Sequence, residues 1–89
     1  MLKVKEGFML SPLGEEYVVV SVGKAAEAFN GMIRLNETGA FFWRELTAGT
    51  TEDALVQKMC VRYHGLDETT ARADLREFLD IVAPALEEV

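Results

Sequence analysis

The sequence predicts an α+β fold, a three-stranded antiparallel sheet followed by three helices. Two observations carry this. The β-branched and aromatic runs fall before residue 36, whereas from residue 37 onward apolar residues recur at three- and four-residue spacing. A third is the punctuation of the second half by Asn, Thr and Asp caps and by Gly stops.

Phe8-Met9-Leu10 is a short apolar strand, closed by the turn residues Ser11-Pro12-Leu13-Gly14. Tyr17-Val18-Val19-Val20-Ser21-Val22 is the strongest strand signal, and turn 11–14 joins the two as a hairpin. Residues 23–31 begin and end with Gly and read as a loop with room for one helical turn. Met32-Ile33-Arg34-Leu35 is a third, short strand. Asn36 then caps a helix from 37 to about 46, with Gly39, Phe42, Trp43 and Leu46 on its inner face. Thr50 or Thr51 caps the second helix, whose apolar stripe is Leu55, Val56, Met59, Cys60 and Tyr63 and which His64-Gly65 ends. Asp67 caps the third, with the stripe Ala71, Leu75, Phe78, Leu79 and Val82, until Pro84 stops or kinks it. The acidic end, Glu87-Glu88-Val89, reads as frayed. Three strands cannot cover themselves, so the helices pack on one face of the sheet. The short inter-helix turns suggest a helix-turn-helix with the sheet as its wing.

Eighty-nine residues are one domain, spanning 1–89, with room for one modest core. A hydrophobic fraction of 49% fits a folded chain. No apolar run approaches the roughly 18–20 residues of a membrane helix, and the N-terminus lacks a signal segment, so the expected compartment is the cytoplasm. A single cysteine agrees with reducing surroundings. The net charge of -6, with Lys and Arg scattered from Lys3 to Arg76, argues against nucleic acid as the partner. A DNA-binding winged helix is the alternative reading.

No catalytic constellation is assembled. Cys60 sits in mid-stripe without a neighbouring His or Lys to favour its thiolate, and reads as core filler rather than a nucleophile. His64 lacks the companions a metal site needs. Glu15-Glu16, Glu52-Asp53 and Glu87-Glu88 fall where solvated carboxylates are expected. Trp43 and Tyr63, which can stack on bases, lie on core stripes. The chain therefore reads as not an enzyme, with no catalytic residue, metal or cofactor. The third strand offers more. An outer strand leaves a row of N–H and C=O groups open, and Met32-Ile33-Arg34-Leu35 lacks proline or lysine to spoil it. The residues alone leave two readings open: an edge shielded by loop 23–31, or a docking edge for an extended peptide.

The segment from Met32 through Leu35-Asn36-Glu37-Thr38-Gly39 to Phe41-Phe42-Trp43 resembles the hallmark of the PqqD-like family. Thr51-Glu52-Asp53-Ala54-Leu55 with Tyr63, then Leu66-Asp67, Asp74-Leu75 and Phe78-Leu79, resemble its second and third helices. The likeness covers roughly residues 8–82. It implies a winged helix-turn-helix and a peptide chaperone, a RiPP recognition element. Such an element binds the leader of a ribosomally made precursor and delivers it to a modifying enzyme, and the resemblance implies a radical S-adenosylmethionine enzyme in that role. It further implies that the leader adds to the third strand, Met32, Ile33, Arg34 and Leu35. Beside it stands a wall from the third helix, given as Arg72, Leu75, Arg76 and Leu79. Arg34, Arg72 and Arg76 would then attract acidic leader residues. The family often ends in a Leu-rich segment and Gly-Leu, which Val82-Ala83-Pro84-Ala85-Leu86 replaces here. An open edge permits a monomer or a dimer.

Overall fold

The computed structural model describes residues 1–28 and 31–89. Its elements run β1 (Leu2–Val4), β2 (Phe8–Leu13), β3 (Glu16–Ser21), α1 (Ala25–Ala28), β4 (Met32–Leu35), α2 (Glu37–Ala48), α3 (Glu52–Arg62), α4 (Glu68–Val82), a 3-10 turn (Ala83–Ala85) and β5 (Leu86–Glu88). The predicted α+β winged helix-turn-helix is present: an antiparallel sheet ordered β2-β3-β4, then three long helices. The expected loop at 23–31 holds one helical turn, α1, and its residues 29 and 30 lie outside the described residues.

Two expectations are corrected. The first concerns the hairpin turn, which lies at Gly14-Glu15 and not at 11–14, because β2 continues through Pro12 to Leu13. Proline survives there because β2 is an outer strand and its missing N–H faces away from the ladder. Gly14, at φ 65°, supplies the left-handed first position of the two-residue turn. The second concerns the C-terminus, which is not frayed. β5 pairs antiparallel with β1, Leu2 opposite Glu88, Lys3 opposite Glu87 and Val4 opposite Leu86. Leu2, Val4 and Leu86 pack against the core, and Lys3 faces an acid across the ribbon. Leu2 also exchanges backbone hydrogen bonds with Thr50, at 2.7 and 2.9 Å, tying the ribbon to the α2–α3 connection. Strands of three residues are too short to show an alternation, which is why this ribbon escaped the sequence pattern.

The core lies between the sheet and the helices. Val19 and Leu35 meet Phe42, Trp43 and Leu46 of α2, Leu55, Val56 and Met59 of α3, and Ala71, Leu75, Phe78 and Val82 of α4. Each long helix starts at its expected cap: Asn36 accepts from the Gly39 N–H, Thr51 from Ala54 and Asp67 from Thr70. Trp43 is buried, while Cys60 and Tyr63 pack half-buried against the core. α4 stops at Val82, and Pro84 sits in the 3-10 turn that delivers Ala85 into the core. Among the described residues no helix is long and apolar enough to cross a membrane.

Candidate functional site

β4 pairs only with β3 among the described strands, so its other side is an open edge. The register says which residues face it. In an antiparallel ladder, alternate pairs exchange hydrogen bonds. A two-residue turn makes Leu13 and Glu16 a bonded pair, and the bond from the Val22 N–H to the Gly7 carbonyl, 2.7 Å, keeps the same phase. On β3, Glu16, Val18 and Val20 are therefore bonded to β2, which leaves Tyr17 and Val19 for β4. Their partners are Leu35 and Ile33. The backbone N–H and C=O of Met32 and Arg34 consequently point outward from the edge. Side chains alternate independently: Met32 and Arg34 are exposed, Ile33 is half-buried and Leu35 is buried.

Beside this edge runs a groove of about 360 Å³, between the end of β4 and α4. Its floor is the first turns of α2, with Thr38, Gly39 and Phe42, and Met59 from α3. The Leu-Asn-Glu-Thr-Gly motif builds that floor. Leu35 anchors in the core, Asn36 caps α2 and Glu37 sits at the favourable end of the helix dipole. Thr38 Oγ1 shares a hydrogen bond with the Tyr63 hydroxyl at 3.1 Å. Gly39 lets three elements meet: a Cβ there would stand 3.2 Å from Leu35 Cβ and 3.4 Å from Phe78 Cε1. Phe42 and Phe78 pack with ring centroids 5.1 Å apart.

The wall from α4 consists of Asp74, Glu77, Phe78 and Ile81. Of the expected wall residues, Arg72, Leu75, Arg76 and Leu79, none lines the groove. Leu75 is fully buried in the core and Leu79 packs half-buried against it. Arg72 and Arg76 lie on the opposite flank, over the start of α3. Arg72 contacts Asp53 at 3.0 Å and Glu68 at 3.1 Å, and Arg76 contacts Glu52 at 2.9 Å. The hydrogen bonds that the Arg72 guanidinium donates to Glu68 and Asp53 raise its pKa above the ordinary value. Helical geometry explains why these four do not line the groove. At 100° per residue, Arg72, Arg76 and Leu79 fall on one side of Leu75, and Asp74, Phe78 and Ile81 on the other. The signal available in the sequence was Ile81, an apolar residue off the core stripe, 53% exposed in the structure. Of the eight expected residues, the structure thus brings Arg34 and Leu35 into the groove lining, with Met32 and Ile33 on the strand beside it.

At its far end the groove continues past Thr38, Met59 and Asp74 into a second hollow bounded by Tyr63, His64, Gly65 and Leu66. Among the described residues no three His, Cys, Asp or Glu side chains group as metal ligands.

The fold is similar to that of TbiB1, solved in complex with the TbiA(beta) leader peptide. The TM-score is 0.76 at 24% sequence identity, over 98% of this chain and 96% of that one. No curated protein sequence matches the chain. Residues 9–83 match the sequence profile of coenzyme PQQ synthesis protein D (PqqD). That span holds the sheet, the capping motif and all three long helices, and the chain belongs to the PqqD family.

Proposed function

We propose that this chain captures the leader segment of a ribosomally made precursor peptide as an added strand on β4, and delivers it to a modifying enzyme without doing chemistry itself. The observation that carries the reading is the open edge of β4 lying beside an apolar-floored groove. Main-chain pairing accounts for edge binding and apolar pockets for selectivity, which is the strand-addition mode of peptide recognition. TbiB1, with the same fold, was solved with a leader peptide.

Magnitudes divide the work. Two outward residues offer about four backbone hydrogen bonds, each worth roughly 0.5–1.5 kcal/mol net, or about 2–6 kcal/mol together. A micromolar complex needs about 8 kcal/mol, and ordering the peptide adds a further cost. The floor therefore has to supply the balance through apolar side chains, at roughly 25 cal/mol per Å² covered. Delivery needs no catalytic group, because tethering raises the effective concentration of the substrate at the enzyme.

The test is a titration, read by heteronuclear NMR, with the leader of a small precursor peptide encoded beside this protein. The expected result is saturable binding, with amide shifts concentrated at residues 32–35, 38–42 and 74–81. Absence of binding, or shifts confined to other surfaces, refutes the reading.

A further inference from the structure

The charge of the groove specifies the peptide that fits it. Three charged side chains line it: Arg34 on the strand side, Asp74 and Glu77 on the helix side. Arg34 is already compensated, with Glu16 of β3 3.6 Å from its guanidinium. Asp74 and Glu77 are both exposed, and among the described residues neither forms an ion pair. The other cations of α4, Arg72 and Arg76, are held by Glu52, Asp53 and Glu68 on the far flank, where they cannot offset this wall. The three arginines that pointed to an acidic leader in the sequence are each paired with a carboxylate in the structure. The uncompensated field in the groove is negative, as is the chain as a whole at -6.

We propose, resting on the strand-addition reading above, that the cognate peptide carries a lysine or arginine that reaches Asp74 and Glu77 while its apolar side chains cover Phe42 and Phe78. The two carboxylates are three residues apart on one helix face, which places their Cβ atoms about 5–6 Å from each other. One guanidinium spans that gap and engages both acids with its planar fork, so arginine is preferred to lysine. A long cationic side chain also lays its methylene stem over Ile81 while its head stays in water. An acidic residue at the same position meets two like charges and is rejected.

The experiment is a selection of peptides from a random 14-residue mRNA-display library on the immobilised full chain, followed by anisotropy titrations of the enriched peptides and heteronuclear NMR of their complexes. Wild type, Asp74→Asn/Glu77→Gln and the off-groove control Asp80→Asn are compared at low and high salt. Both replacements in the double variant are close to isosteric and exposed, and circular dichroism verifies its fold. The expected result is enrichment of Arg, then Lys, at one position relative to an apolar pair. Affinity then falls roughly fivefold in the double variant, the scale of two exposed ion pairs. Asp80→Asn has no effect, and the loss vanishes when the peptide's cation is replaced by Gln. High salt reproduces the loss in wild type. Enriched peptides that shift residues 32–35 but carry no cation, or bind the double variant equally well, overturn this proposal and leave strand addition standing. Enriched peptides that leave residues 32–35 unshifted, or no enrichment at all, overturn both.

Discussion

The sheet has two outer strands, and they are not equivalent. β2 is the longer, with six residues against four in β4. By the register argument its outward residues include Leu10 and Pro12, so its edge is broken by a residue without an N–H. β4 keeps both outward donors, at Met32 and Arg34, and has a groove alongside. The hollow next to β2 is bordered by Arg44, which stacks over Tyr17 at 5.2 Å from the ring centroid. Apolar composition alone does not separate the two edges. Under the proposed strand addition, continuity of outward donors next to a floor that can take side chains does.

The most severe way to break the contrast is to give β4 the defect of β2. Met32→Pro/Arg34→Pro removes both outward donors and puts ring bulk in the path of an added strand. Leader binding is expected to drop beyond detection by calorimetry, with near-native circular dichroism. Ile33→Pro is the less informative choice, since its N–H belongs to the inner ladder with Val19 and the sheet itself would suffer. Next in size, Ile81→Ser withdraws a half-exposed apolar group from the groove wall. A loss of about 1 kcal/mol, or roughly fivefold in affinity by fluorescence anisotropy, is expected with little change in melting temperature. The converse change repairs the other edge. Pro12→Thr restores a donor to β2, and weak concentration-dependent self-association is expected by sedimentation velocity, with leader affinity unchanged. If that variant stays monomeric at millimolar concentration, an unbroken row of donors is not what separates the two edges.

The smallest effect concerns the wall of the groove. The Asp67 carboxylate is held below its ordinary pKa, chiefly by the hydrogen bond from the Thr70 backbone N–H at the start of α4. A depressed folded-state pKa means that the contribution is complete above the ordinary aspartate range and is lost as pH falls through the folded value. Thermal stability is therefore expected to decline on acidification below that range. Asp67→Asn, which keeps a capping oxygen, flattens this part of the profile in a melting-temperature series.

The fold was largely legible, for reasons that can be named. Val18, Val19 and Leu35 alternate or cluster as strand residues must, and Asn36, Thr51 and Asp67 sit at helix starts where their side chains find the orphan N–H groups. The β1–β5 ribbon was hidden because three residues carry no period. The open edge of β4 was equally clear, since an edge strand is a local property. Which flank of α4 lines the groove was not. Periodicity locates the buried stripe of α4 but is symmetric about it, and only the placement of α3 and β4 decides which flank faces the strand. Arg72 and Arg76 were attractive on charge alone, yet Glu52, Asp53 and Glu68 had claimed them.

The ribbon of β1 and β5 has a mechanical meaning. It brings the two ends of the chain together, with the Met1 ammonium 2.9 Å from the Val89 carbonyl. A tug on both ends peels the two strands apart from their open end, one bonded pair at a time. The load is taken up there before it reaches β2, β3 and β4, and no residue that lines the groove belongs to either terminal strand. Spliced into a loop of a larger host, the domain would strain at its seam while its groove stayed unloaded.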